Sequence, residues 1–280
     1  MFDCAAKPLV SVIIPTYNRR PMVCEAIDSV LAQRYRPFEL IVADDGSDDE
    51  TAEEIGRRYG RSVRVVSDPH RGVAASRNLG VYNSTGPYLA FLDSDDLWQP
   101  NKLQAQVAFM QADPSAAICQ TEEIWIRHGR RVNPKMRHRK ASGDLFRASL
   151  ELCLVSPSAV LMTRELFARV GGFDESFPVC EDYDLWLRIS RDTPIHLIPE
   201  QLVIKRGGHV DQLSRSTWGF DRFRALSIKK LLDAGLPGDK RRWALQVLER
   251  KTAILAQGAR KRGKREEAAG YEAMLQSSLS

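Results

Sequence analysis

The stretch Tyr88–Trp98, YLAFLDSDDLW, drives five apolar residues straight into a cluster of acids and a serine. An apolar run of this length reads as a buried strand. Asp93, Asp95 and Asp96 then stand at its carboxyl end. Carboxylates crowded together repel one another and resist burial. Two readings are open. In one, Asp and Ser cap a helix that begins near Leu97, which accounts for one or two of these residues. In the other, Asp93 and Asp95 share a face of the strand end and converge on Mg²⁺ or Mn²⁺, ions that prefer hard carboxylate oxygens and leave positions for substrate phosphates.

Upstream, the chain alternates strands and helices. Leu9–Ile14 is β-branched and apolar, and Pro15 is expected to end that strand. Val23, Ala26, Ile27, Val30 and Leu31 recur at helical spacing behind Pro21. Phe38–Ala43 is a second strand, followed by Asp44-Asp45-Gly46. Ser47 and Glu50 have the spacing of a capping box, opening a helix to about Tyr59. Val63–Ser67 reads as a strand, Gly72–Asn83 as a helix and Tyr88–Leu92 as the fourth strand. Such alternation implies an α/β, doubly wound, mostly parallel sheet. Ligands bind such sheets beyond the carboxyl ends of the strands. The polar clusters Pro15–Asn18, Asp44–Asp49 and Asp93–Asp96 lie there.

After about residue 105 the pattern changes. Ile118–Arg127 and Ala159–Thr163 read as strands of a smaller, mixed sheet. Arg164–Val170 is a short helix stopped by Gly171-Gly172, and Tyr183–Ser190 is another helix. Ile195–Ile198 and Leu202–Lys205 are short strands. From Gly219 the chain is helical, with a break at Gly235–Asp239 and a charged end from Lys261 that is expected to fray. The division expected is 1–105, 106–218 and 219–280.

Composition bounds the rest. No apolar run among the 280 residues approaches the ~18 needed to cross a bilayer. The early apolar run is too short for a signal-peptide core, so the expected location is the cytoplasm. The five cysteines, Cys4, Cys24, Cys119, Cys153 and Cys180, lack CxxC spacing and read as free thiols. Residues 222–280 hold 14 Lys/Arg against 6 Asp/Glu, and Arg127–Lys140 holds seven Lys/Arg and no acid. These stretches are either solvated basic faces or contacts for anionic partners such as phosphates or lipid head groups.

Single candidates have two readings each. Asp45 either accepts a hydrogen bond from a nucleobase or ribose, or belongs to a turn. Glu181 and Asp182 precede a helix with Leu185, Trp186, Leu187 and Ile189. The helix dipole favours an ionised Asp182, able to act as a base, or the pair is a cap. His209 either completes a metal site or is structural. Arg71 and Arg77 either meet a diphosphate or are solvated on a helix.

Taken in order, VSVIIPTYNR, LIVADDGSDDET, RGVAASRNLG, GPYLAFLDSDDLW, GGFDE and EDYDLWLR resemble the family 2 glycosyltransferases over about residues 8–215. The resemblance implies the GT-A fold. It implies Pro15 and Tyr17 on the nucleobase, Asp45 on its imide, and Arg71 and Arg77 near the diphosphate. Asp93 and Asp95 match the DxD element, Asp95 as the direct ligand of Mn²⁺ or Mg²⁺, with His209 nearby. Asp182 matches the general base. The acceptor would enter between it and Gly171–Glu175, which puts Gly172 and Glu181 on the acceptor side.

The activity so implied is inverting transfer of one sugar from a nucleoside-diphosphate donor, a UDP-sugar by the fit of Asp45 to uracil. The acceptor would be a glycan or lipid-linked hydroxyl, in polysaccharide or lipopolysaccharide synthesis at an anionic membrane face. Ser214–Trp218 lacks the QxxRW spacing of processive synthases, and their multi-span domain is absent, which favours single transfer. A nucleotidyltransferase would need a glycine-rich loop where the chain reads PTYNRR, and an oxidoreductase would need GxGxxG. A non-catalytic sugar-nucleotide module would not need both Asp95 and Asp182. Nucleic acid is not expected, since no stacking motif accompanies the basic tail.

Overall fold

The computed structural model describes residues 7–133, 135–208 and 219–279. The first part alternates as its apolar runs dictate. It comprises β1 (Val10–Thr16), α1 (Arg20–Leu31), β2 (Phe38–Asp44), α2 (Thr51–Tyr59), β3 (Arg64–Ser67), α3 (Val73–Tyr82) and β4 (Tyr88–Phe91). All seven residues of β1 are buried, as a parallel strand covered on both faces must be. Val12 and Ile14 pack on one face with Val23, Ile27 and Val30 of α1. Ile13 faces the other side with Phe91, Ala74 and Val81. Pro15 does not end the strand: it pairs in register with Ala43.

Next come β5 (Leu97–Trp98), α4 (Lys102–Ala112), β6 (Ile118–Arg127), β7 (Arg130–Val132), α5 (Phe146–Glu151), β8 (Val160–Thr163), α6 (Arg164–Arg169), α7 (Glu181–Ser190) and β9 (His196–Gly207). The strands form one sheet in the order β3-β2-β1-β4-β8-β6-β9-β5, with β7 beside β6. Among the described residues all the strands join this one sheet, so the separate smaller sheet expected from the sequence is instead its continuation. β8 docks antiparallel on β4, Leu89 opposite Met162, and carries the first half directly into the second. Trp186 of α7 is fully buried under this junction with Leu185 and Ile189, which fixes where that helix begins.

Four local expectations are corrected. Ser47 and Glu50 form no capping box. The Ser47 hydroxyl turns to Asp44 and accepts the Asn18 N–H, while Glu50 takes a left-handed φ of 63° ahead of Thr51. No helix starts at Leu97: Leu97 and Trp98 pair with Ile204 and Val203. The two short strands near residue 200 are one strand, β9, irregular where Thr121–Glu123 of β6 meets it. The exposed Pro199-Glu200-Gln201 hid that continuity. Finally, the charged end from Lys261 is ordered as helix, with Arg265–Leu279 helical throughout.

Three helices close the chain: α8 (Phe220–Asp233), α9 (Gly238–Lys261) and α10 (Arg265–Leu279). Ala256 and Ala259 of α9 pack on Ala268 of α10, small residues that let the helices approach. None of the described helices is long and apolar enough to cross a membrane. Cys24, Cys119, Cys153 and Cys180 are free thiols.

Candidate active site

The acids after β4 converge through a turn, closed by the Asp96 N–H on the Asp93 carbonyl at 2.9 Å, and not through strand alternation. Oxygens of Asp93, Asp95 and Asp96 lie within 4.8 Å of one another. Their roles diverge. Asp96 is 1% exposed. It accepts the Ser158 hydroxyl at 2.7 Å and the Arg206 N–H at 2.9 Å. Burial pushes its carboxyl well above the usual range; Asp95 and Asp93 add to this and Lys205 opposes it. Asp96 therefore braces the loop from within. Asp93 and Asp95 are half-buried, and Arg19 pairs with Asp95 at 3.0 Å. A donor set made of carboxylate oxygens alone fits a hard divalent cation, so the cluster is suited to Mg²⁺ or Mn²⁺.

Arg77 sits on α3 and is 4% exposed. It donates to Asp93 at 2.7 Å and to Glu181 at 2.6 Å, with Phe173 under its guanidinium at 5.1 Å. The sequence placed Arg77 against a diphosphate, and Glu181 on the acceptor side. Both are interior, because each satisfies the other's charge out of water. Burial pushes the Glu181 carboxyl up to about 7, with Asp182 adding and Arg77 opposing. For Asp93 the balance is reversed: Arg77 and Lys205 outweigh burial and hold it low. Arg77 and Asp93 are thus the firm ion pair, and Glu181 is the partner most easily protonated.

Asp182 lies in the first turn of α7, not ahead of it. It is half-buried, accepts the Tyr183 N–H at 2.7 Å, and takes the Cys153 thiol at 3.5 Å. One loop links it to the acid cluster. Cys153 touches Asp182, Ser156 accepts from the Lys205 ammonium at 3.0 Å, and Ser158 holds Asp96 and the Asp93 N–H. Burial works against the charge of Lys205, yet Glu123, Asp96, Asp93 and Asp182 raise it above its ordinary value. Sequence reasoning missed Lys205, Ser158 and Cys153. The available signal was a lysine in the apolar strand Leu202–Lys205.

The basic stretch Arg127–Lys140 is not wholly a solvated face. Lys140 points inward, 3.0 Å from Glu123 and 3.1 Å from Gln120. Burial pushes the Glu123 carboxyl up, but Lys140 and Lys205 outweigh it and hold it at about 2.

At the other end of the site, Pro15 is buried in β1 and Tyr17 is 42% exposed. Asp45 is buried and accepts the N–H groups of Arg71 and Gly72, each at 2.9 Å. His70 Nδ1 is 2.8 Å from Asp45, and its ring stacks on Tyr17 at 4.1 Å. Arg71 reaches across to Glu175. Asn78 fixes the same segment by donating to the Phe173 carbonyl at 2.8 Å and accepting the Phe173 N–H at 3.1 Å. A side chain at Gly172, φ +72°, would crowd Asn78 and Phe167 at 3.1–3.2 Å. His209 lies outside the described residues. A cleft of about 290 Å³ opens beside Asp95, lined also by Met22, Ile126, His128 and Arg206. A groove of about 360 Å³ between α9 and α10 is larger but holds none of the candidate site residues.

Comparison with known proteins bears on the family and the fold. Residues 11–171 match the family described as Glycosyl transferase family 2. An uncharacterized glycosyltransferase of Rickettsia prowazekii is 36% identical over 204 residues, 71% of this chain. The chain spans only 64% of that relative's length, and 35% of a Rickettsia felis relative. The Escherichia coli UDP-Glc:alpha-D-GlcNAc-diphosphoundecaprenol beta-1,3-glucosyltransferase WfgD is 30% identical, with 78% of this chain and 82% of the relative covered. Among solved structures, S. aureus TarS 1–349 with UDP-GlcNAc superposes at a TM-score of 0.67 and 17% identity, covering 96% of this chain and 91% of that one. A Pyrobaculum calidifontis mannosyltransferase with GDP-Man and Mn²⁺ superposes at 0.59 and 20% identity, over 98% and 88%. The structural likenesses show the shared α/β fold, and the sequence matches carry the classification: the chain belongs to glycosyl transferase family 2.

Proposed function

We propose that the chain has the GT-A fold and transfers one sugar, with inversion, from a UDP-sugar to a hydroxyl of a glycan or lipid-linked acceptor. The observation that carries this reading is the Arg77 bridge. It ties Asp93, beside the acid cluster, to Glu181, which adjoins Asp182. A leaving-group site and a base are thereby held at a fixed separation, as an in-line displacement needs. The WfgD relative, named for UDP-Glc and a diphosphoundecaprenol-linked GlcNAc, supports the donor and acceptor class.

Tyr17 and Pro15 form the nucleobase wall and Asp45 accepts the imide N–H. Arg71, exposed at the mouth, lies toward the diphosphate. Asp95, with Asp93 beside it, would hold Mg²⁺ or Mn²⁺, which supplies neutralisation of charge on the departing diphosphate. Asp182 takes the proton of the acceptor hydroxyl as that oxygen bonds to the anomeric carbon. The bond from that carbon to the diphosphate breaks, and its electron pair leaves with UDP. The Tyr183 N–H and the Cys153 thiol hold the Asp182 carboxylate in one orientation. Gly172 lies on the acceptor side, where its left-handed φ of +72° turns the chain closely past Asn78 and Phe167.

Asp95→Ala tests the metal assignment. Loss of a charged ligand costs about 1.5–3 kcal/mol, roughly 10- to 100-fold in affinity. Calorimetry should show that Mn²⁺ no longer strengthens UDP binding in this variant. An unchanged Mn²⁺ effect removes Asp95 from the metal site.

A further inference from the structure

Resting on the nucleobase reading above, we propose that His70 competes with the donor's base for Tyr17 and Asp45 and swings aside when the donor binds. An imidazole and a pyrimidine imide make the same two demands: a flat face to stack on and a carboxylate for an N–H. His70 meets both. Its ring lies 4.1 Å from that of Tyr17 at 24°, and its Nδ1 is 2.8 Å from Asp45. A base inserted between Tyr17 and His70 needs about 7 Å, twice the usual packing distance. A base on this face of Tyr17 therefore displaces His70.

The other donors to Asp45 are backbone N–H groups of Arg71 and Gly72, which do not move with a side chain. The backbone of His70 is also confined. A Cβ at Gly46 would lie only 3.0 Å from the His70 nitrogen, so the two loops touch there. The imidazole is different. It is 56% exposed, so it can rotate into solvent about its own χ angles. Its displacement costs one hydrogen bond and one stacking contact, and that cost is charged equally to UDP as donor moiety and as product. His70 thus weakens the hold on UDP and speeds its release.

The test is calorimetry on the full chain with Mn²⁺, comparing wild type with His70→Ala, using UDP and inorganic pyrophosphate as probes. Removing a competing contact of this kind should tighten UDP binding by about three- to tenfold. Pyrophosphate, which has no base, should bind as before. UDP affinity that is unchanged or weaker in H70A overturns the proposal, and so does an equal gain for pyrophosphate. Tyr17→Ala separates the two layers. Loss of UDP affinity there upholds the nucleobase site whatever His70 does; wild-type affinity defeats that site and the proposal together.

Discussion

Asp182→Asn should lower sugar transfer by about 10²- to 10⁴-fold while UDP and Mn²⁺ bind as in wild type. The amide is the same size, and its oxygen still accepts the Tyr183 N–H that orients the group. What it loses is the capacity to take a proton. The residue stands in the first turn of α7, whose buried Trp186 and Leu185 anchor the helix, so the substitution leaves the packing intact. Turnover measured as UDP release from a saturating donor, with and without acceptor, reads the effect. A variant that retains more than about a tenth of wild-type turnover removes Asp182 from the role of base.

Arg77→Met should destabilise the protein by about 3–5 kcal/mol, the usual cost of removing one partner from a buried ion pair. Methionine fills the volume over Phe173 but leaves Asp93 and Glu181 without their shared cation. Glu181 is only 5% exposed and cannot recover water without the helix moving. The double variant Arg77→Met, Asp93→Asn should regain part of the loss, because Asp93, the partner that stays ionised, is the charge left uncompensated. Denaturant melts of the three proteins measure this. If Arg77→Met falls within ~0.5 kcal/mol of wild type, as an ordinary surface change would, the bridge does not hold the two halves of the site.

The strand-helix alternation up to Phe91 was legible because parallel strands covered on both faces leave continuous apolar runs, and Val10–Thr16 is buried throughout. The acid clusters were legible as positions, since strand ends collect ligand-binding residues in such sheets. Their division of labour was not. Arg77 meets Asp93 16 residues away and Glu181 104 residues away, so nothing within RGVAASRNLG distinguishes an interior arginine from one that meets phosphate. Asp96 and Ser158 meet across 62 residues, and the Arg206 N–H reaches Asp96 across 110. Such contacts exist only once the sheet has brought β4, β8 and β9 together. The capping box failed for a related reason. Ser47 had a local partner at Glu50, but Asp44 and Asn18 competed for its hydroxyl and won. Strand β9 was read as two pieces because its exposed middle carries Pro199, a residue that interrupts ladder bonding without ending the strand.

The central claim is a single in-line displacement at the anomeric carbon by a hydroxyl that Asp182 deprotonates. Its most direct test is the anomeric configuration of the product, read by proton NMR, when the chain and Mn²⁺ are given UDP-glucose and a GlcNAc-diphospholipid acceptor. Inversion of the α-linked donor predicts a β-linked glucoside formed together with UDP. An α-linked product would contradict the mechanism.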